Sequence, residues 1–145
     1  MRVRTAALDD IAEIEVIEAT GAANPWSARS LRNTLNLPTT RAFVAELGTM
    51  AVGYALASVV ADEGELLNLT VHPNFRREGL GQALVKRCQA IWLDEGVSTA
   101  FLEVRADNVA ARRLYESLGW QEAGRRVGYY DRAMDAIVMN WTAKC

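Results

Sequence analysis

The segment Arg76–Gln82, which reads Arg-Arg-Glu-Gly-Leu-Gly-Gln, carries residue types and spacing that suit phosphate binding. It follows a stretch rich in Leu and Val and opens a stretch with helical spacing. Two glycines two positions apart, Gly79 and Gly81, let the backbone turn tightly and approach a ligand closely. The unpaired amides and the dipole of the following helix suit an anion such as a pyrophosphate. The pattern fits neither the dinucleotide fingerprint nor the Walker P-loop, and a turn with two solvated arginines remains the alternative.

Glu103 interrupts Ala100–Val104, an otherwise apolar stretch that predicts a buried strand. Strand alternation places Glu103 on one face with Phe101 and Arg105. A carboxylate inside such a strand is costly unless it is paired or lines a cleft. Two interpretations therefore stay open: a general base at a cleft, or a structural ion pair with Arg105 or Arg113.

Tyr115 lies on the apolar side of the next predicted helix, where the simplest interpretation is a tyrosine of the core. Its hydroxyl must still find a partner. Asn108, at the start of the same helix, is most simply a cap. His72 follows a strand, and no nearby residue indicates a catalytic dyad.

The elements that would position these residues follow from the hydrophobic periodicity. Alternating or continuous apolar stretches predict strands at 2–6, 41–47, 50–60, 65–71, 99–104, 120–130 and 136–141. Four helices are expected between them. The first two are capped by Asp9 or Asp10 and by Ser27, the third starts near Gly79, and the fourth starts at Asp107 or Asn108 and ends before Gly119. The first helix has an apolar stripe of Ile11, Ile14, Val16, Ile17 and Ala19. This order predicts a mixed α/β fold with parallel crossover units in its second half.

The composition excludes several classes of function. The 145 residues predict one domain, 1–145, and a net charge of −2 argues against a protein that wraps nucleic acid. The longest nearly apolar run, 50–61, is too short to span a membrane, and the N-terminus lacks the apolar core of a signal peptide. One histidine and two cysteines, Cys88 and Cys145, make no usual zinc spacing and predict reduced thiols in the cytoplasm.

Taken together, these residues resemble a known family. Arg76-x-x-Gly79-x-Gly81 after a predicted central strand resembles the acyl-coenzyme A signature of the Gcn5-related N-acetyltransferases, the GNAT family. The segment 108–120 is similar to the second coenzyme-binding helix of that family. Within it, the chain most resembles the RimI-type ribosomal-protein-alanine N-acetyltransferases, on motifs at Pro25-Trp26-Ser27, Asn68-Leu69-x-Val71-x-Pro73, Leu102-Glu103-Val104-Arg105, Leu114–Gly119, Tyr129-Tyr130 and Asp135-Ala136-Ile137-x-Met139.

The resemblance implies a fold, a co-substrate and a set of site residues. The fold would be a central mixed, mostly antiparallel sheet flanked by helices, and acetyl-CoA would be the acetyl donor, with no metal. Glu103 would act as general base and Tyr115 as general acid in a direct transfer. The residues implied to contact the coenzyme are Leu69, Thr70 and Val71 along its acetyl and pantetheine arm, Arg77, Glu78, Gly79, Leu80, Gly81 and Gln82 at its pyrophosphate, and Asn108.

The acceptor implied by the resemblance is the N-terminal alanine of a small-subunit ribosomal protein. The enzyme itself is expected to be a monomer or a weak dimer. Two alternatives stay open. One is a GNAT enzyme for another amine, such as a lysine side chain, a different N-terminus or a small molecule. The other is a non-catalytic acyl-CoA binding module, which would not need Glu103 and Tyr115 together. The segments Thr20–Asn24 and Arg132–Met134 depart from the RimI-type pattern and flank the acceptor cleft in the family.

Overall fold

The structure is a computed structural model that describes residues 1–130 and 134–143. In this part of the chain, strands and helices follow one another in the order that the sequence predicts, and none of the helices is long and apolar enough to cross a membrane. The strands are β1 (Arg2–Thr5), β2 (Thr40–Leu47), β3 (Met50–Val60), β4 (Glu63–Val71), β5 (Thr99–Arg105), β6 (Gln121–Tyr130) and β7 (Met134–Thr142), and the helices are α1 (Ile11–Gly21), α2 (Ala28–Leu35), α3 (Leu80–Asp94) and α4 (Val109–Ser117).

The strands form one sheet in the order β1-β2-β3-β4-β5-β7-β6. The pair of β4 and β5 is parallel, and the other neighbouring pairs are antiparallel. The predicted mixed, mostly antiparallel sheet is therefore confirmed. The crossover through α3 joins neighbours, whereas the crossover through α4 leads to β6, one place further out, because β7 inserts between β5 and β6.

The pairing of β4 and β5 is short, and the two strands part in the middle of the sheet. Their register runs from Glu63 opposite Thr99 to Glu65 opposite Phe101. Beyond that point β4 stays paired with β3, and β5 stays paired with β7. A bulge at Leu67, where the β3–β4 register shifts, bends β4 at the same place. The result is a gap between two strand edges that carry unpaired backbone groups.

Helices cover both faces of the sheet. Helices α1 and α2 pack on one face, where Tyr54 and Leu56 join Ile14, Ile17 and Leu31 in a buried cluster. Helices α3 and α4 pack on the other face, over a larger core that includes the neighbouring rings of Trp92, Trp120 and Trp141. Leu102 and Val104 belong to this larger core, so Glu103 between them faces the side of α1 and α2.

The expected apolar stripe of the first helix is partly wrong. Val16 and Ala19, both placed on it, are exposed, and the buried position next to Ile17 belongs to Glu18, which is 1% exposed. Asp10, one of the two expected caps, occupies the N-cap position of α1, but its side chain makes no bond to the helix. Its carboxylate instead binds the guanidinium of Arg4 at 2.8 Å and accepts from the amide of Ala7, and Arg4 holds the pKa of Asp10 below its usual range.

Candidate active site

The N-terminus of α3 presents the free amides that the glycine-rich segment predicts. The first bond inside the helix runs from the amide of Ala83 to the carbonyl of Gly79. The amides of Leu80, Gly81 and Gln82 therefore have no partner within the helix, and the helix dipole adds positive potential there. Gly79 has φ +79°, and Arg77 adopts the same left-handed region at φ +67°. A non-glycine residue held in that region marks a turn that its surroundings constrain.

The two glycines of this segment serve different purposes. A Cβ at Gly79 would meet nothing within 4 Å, so glycine is needed there for its positive φ. A Cβ at Gly81 would lie 3.2 Å from Cδ2 of Leu114 on α4. Gly81 thus lets α4 approach the start of α3 closely, and the turn of α4 that carries Tyr115 comes to lie beside the free amides.

We expect Gly79→Ala to weaken acetyl-CoA binding by roughly tenfold, because the left-handed conformation costs an L-residue about 1–2 kcal/mol. If the backbone of the variant relaxed to avoid this conformation, the amides of Leu80–Gln82 would turn away from the expected position of the acetyl-CoA pyrophosphate. Gly96→Ala is the matched control, since Gly96 has φ +77° with open space at the opposite end of α3. Titration calorimetry should show weakened binding for the Gly79 variant alone. Equal affinities of both variants and the wild type would place the phosphates elsewhere.

The end of β4 offers two amides to the gap. His72 donates its amide to Val52 across the β3–β4 pair, so alternation turns the amides of Leu69 and Val71 away from β3 and toward β5. The amide of Leu69 donates to Oδ1 of Asn68 at 3.0 Å. Thr70 differs from its neighbours, because its amide faces β3 and its buried hydroxyl donates to Glu18 at 2.7 Å. Val71 therefore has a free amide that can polarise a carbonyl in the gap, and Leu69 can contribute only by sharing an amide that already donates to Asn68.

Glu103 lies on β5 just beyond the point where the two strands part. Its carboxylate pairs with Arg126 of the edge strand β6 at 3.0 Å. Arg105, one of the two partners expected for an ion pair, binds Asp107 at 3.1 Å. Glu65 approaches the same place from β4, and its pKa is raised by burial and further by the charges of Glu103 and Glu63. The mouth of the gap therefore concentrates carboxylates on the side of α1 and α2.

Tyr115 lies on the other side of the sheet and is buried against Trp120, with ring centroids 6.1 Å apart. The expectation of a core tyrosine is thus confirmed for the ring. Burial raises the pKa of its phenol well above the ordinary value, so the hydroxyl keeps its proton at neutral pH. Within residues 1–130 and 134–143 no fully buried polar side-chain atom is unsatisfied, and no protein group bonds this hydroxyl, so its oxygen reaches the surface.

The structure also shows the surroundings of three other residues that the sequence analysis considered. Asn108 caps α4, since its Oδ1 accepts from the amide of Ala111 at 3.1 Å, and its contact with a coenzyme stays a prediction. His72 accepts a bond from the amide of Asn74 through its Nδ1. Burial raises the pKa of the Cys88 thiol to about 12, which removes the thiolate that a nucleophile requires. Cys145 lies outside the described residues, as do Arg132 and Ala133 of the divergent segment.

The sequence analysis did not foresee how two residues, Arg76 and Glu18, position the site. Arg76, the first residue of the acyl-CoA signature, bonds the carbonyls of Gly21 and Val71 and so ties α1 to β4. Glu18 lies beneath β4 and accepts a bond from Thr70. Its position four residues after Ile14 on α1 puts a carboxylate on the apolar face, which is the signal that could have identified it.

Comparisons with known proteins agree with this geometry. The family model described as "Acetyltransferase (GNAT) family" matches residues 8–120. The [ribosomal protein bS18]-alanine N-acetyltransferase of Escherichia coli strain K12 is 40% identical over 126 residues, which cover 85% of this chain and 84% of that protein. A putative enzyme of the same description from Bacillus subtilis is 31% identical over 94% of this chain and 92% of its own length.

A solved structure gives the same result for the fold. The crystal structure of the ribosomal-protein-S18-alanine N-acetyltransferase from Escherichia coli superposes with a TM-score of 0.93, at 34% identity, over 99% of this chain and 94% of that chain. The resemblance and the mixed α/β GNAT fold that the sequence analysis predicts are thereby confirmed. The chain belongs to the GNAT family and is an N-acetyltransferase.

Proposed function

We propose that this enzyme transfers the acetyl group of acetyl-CoA to the N-terminal α-amine of a protein, with the N-terminal alanine of a small-subunit ribosomal protein as its acceptor. The observation that carries the proposal is the gap between β4 and β5, which has Glu103 on one face of the sheet and the buried Tyr115 on the other. The names of the most similar relatives support this acceptor. The proposal places the enzyme in the cytoplasm, where ribosomal proteins are made.

The residues around the gap fit acetyl-CoA. The free amides of Leu80, Gly81 and Gln82 suit the pyrophosphate, and the free amide of Val71, two residues beyond the Asn68-bonded amide of Leu69, suits the carbonyl of the thioester. The exposed Arg77, Glu78 and Asn108 flank the same path. When bound, acetyl-CoA supplies an acetyl group activated as a thioester.

The two ionisable residues divide the proton transfers between them. An α-ammonium has a pKa of about 7.7–8.0, which is close to neutral pH. Glu103 therefore has to remove a proton that the acceptor already loses easily. The amine nitrogen then forms its bond to the acetyl carbon while the carbon–sulfur bond breaks, and the nitrogen loses its second proton to solvent as the neutral amide forms. Tyr115 is the residue that donates a proton to the departing thiolate, and it regains that proton from solvent. The proposed transfer is direct, and Cys88 is unsuited to carry a covalent intermediate because it is buried and protonated.

A peptide competition distinguishes the proposed acceptor from the alternative amines. One peptide carries a free N-terminal alanine and an internal lysine, and a matched peptide has the same sequence with its α-nitrogen blocked. We expect release of free thiol from acetyl-CoA with the first peptide and not with the second, and fragmentation in the mass spectrometer should place the acetyl group on the α-nitrogen. Acetylation of the lysine in both peptides would contradict the proposed acceptor.

A further inference from the structure

Glu18 is a buried carboxylate that the proposed chemistry does not use. Within the described residues it has no cationic partner in its hydrogen-bond shell, which consists of neutral donors from three different elements. Its Oε2 accepts from the amide of Trp26 at 2.9 Å. Its Oε1 accepts from the hydroxyls of Tyr54 and Thr70, both at 2.7 Å, and from the amide nitrogen of Asn68 at 3.1 Å.

We propose that Glu18 is a positioning residue for acetyl transfer, holding the segment between α1 and α2 against the parted end of β4 so that the acceptor meets the thioester in the correct place. The inference rests on the proposed function, since it assigns the segment 22–27 to one wall of the acceptor site. No other described residue bonds both this segment and the polar side chains of β4.

The first part of the argument concerns β4. The Nδ2 group of Asn68 donates a hydrogen bond to Glu18, and its Oδ1 accepts one from the amide of Leu69. Leu69 is one of the two residues that turn an amide toward the gap, directly after the bulge at Leu67. A chain of hydrogen bonds therefore runs from α1 through Glu18 and Asn68 to an amide at the gap. The hydroxyl of Thr70 anchors the next residue of the strand to the same carboxylate.

The second part concerns the end of α1. A Cβ at Gly21 would lie 2.9 Å from both Cγ2 of Thr70 and the carbonyl oxygen of Val71, so helix and strand are in close contact there. Arg76 fastens this contact by bonding the carbonyls of Gly21 and Val71. The segment that leaves Gly21 consequently starts beside the gap, on the face of the sheet that also carries Glu103. Glu18 then fixes where the segment turns into α2, through its bond to Trp26.

A carboxylate suits this place better than its amide analogue. Its two oxygens can accept all four bonds, whereas a glutamine would present an NH₂ group to one set of donors. The pKa of Tyr54 is raised by burial and by the negative charge of Glu18, so the phenol remains a donor. Loss of one acceptor atom leaves buried donors unsatisfied, at a cost of about 1–3 kcal/mol.

The test compares Glu18→Gln with Glu15→Gln, a matched change on the same helix at a carboxylate that binds the exposed Arg32. Steady-state kinetics with the amine acceptor that the wild type uses, together with calorimetry of acetyl-CoA binding, separate the effects. We expect Glu18→Gln to raise the acceptor KM by roughly 5- to 150-fold, the range that a cost of about 1–3 kcal/mol implies. The Kd for acetyl-CoA and the constants of Glu15→Gln should stay close to wild type.

A merely structural role predicts a different pattern, because a partly unfolded sample loses kcat in proportion and keeps its KM. That pattern, or an unchanged KM in a folded Glu18→Gln variant, would overturn the proposal. If Glu18→Gln does not fold, Thr70→Val removes one of the bonds that join Glu18 to β4, and an acceptor KM equal to wild type in that variant would overturn the proposal as well. The proposed acceptor is tested separately, since a wild type that acetylates lysine instead of an α-amine leaves the KM comparison intact.

Discussion

Replacing Glu103 with glutamine is expected to lower turnover by about 10²–10⁴-fold at pH 7, the range typical for loss of a general base. The substitution keeps the shape of the side chain and removes its ability to take the proton of the α-ammonium. Because the free α-amine has a pKa of about 7.7–8.0, the deficit should shrink as the pH rises and the acceptor loses its proton without help. Affinity for acetyl-CoA should change little. Stopped-flow detection of free thiol between pH 6 and pH 9 would measure both effects.

Arg126 provides the control that separates a base from an ion pair. If Glu103 acts only through its 3.0 Å ion pair with Arg126, then Arg126→Gln should lose as much activity as Glu103→Gln. If Glu103 is the base, Arg126→Gln keeps most of the wild-type turnover. Wild-type turnover of Glu103→Gln at pH 7, with a changed melting temperature alone, would return this residue to a structural role.

Replacing Tyr115 with phenylalanine is expected to lower turnover by roughly 10- to 100-fold, less than the loss at Glu103. The departing thiol has a pKa of about 8.5, so its thiolate is already a fair leaving group. The ring should still pack against Trp120, and the melting temperature and acetyl-CoA affinity should stay close to wild type.

A thioester with a more acidic thiol gives this prediction a second readout. Such a donor needs less help from an acid and should restore part of the rate that Tyr115→Phe loses, while the wild type gains less. Full activity of the phenylalanine variant with acetyl-CoA would refute the acid role. A loss that follows the melting temperature alone would do the same.

The local sequence pattern was enough to predict the helices and strands, because the spacing of apolar residues within most of them matches the periodicity of the structure they form. Ser27 accepts from the amide of Ser30 as an N-cap should, and Gly119 takes the positive φ expected after α4. The glycine-rich segment was located correctly because its free amides belong to the start of one helix. Its two glycines could not be told apart, since the contact that excludes a side chain at Gly81 comes from Leu114 on another helix.

Features that depend on distant parts of the chain were missed. The partner of Glu103 is Arg126, more than twenty positions later, because β7 returns between β5 and β6 and sets that edge of the sheet. Val16 was included in the apolar face of α1 because it is hydrophobic, whereas the buried position on that face belongs to Glu18. A buried carboxylate is costly by itself, and only the donors brought by β3, β4 and the segment before α2 make it tolerable.

A crystal structure with a bisubstrate analogue, in which coenzyme A is joined through an acetyl bridge to the N-terminus of an alanine peptide, tests the central claim most directly. The sulfur should lie in the gap between β4 and β5, within hydrogen-bonding distance of the Tyr115 hydroxyl. The bridged nitrogen should face Glu103, directly or through one water, and the pyrophosphate should contact the amides of Leu80–Gln82. A sulfur outside this gap, or a nitrogen remote from Glu103, would contradict the proposed mechanism.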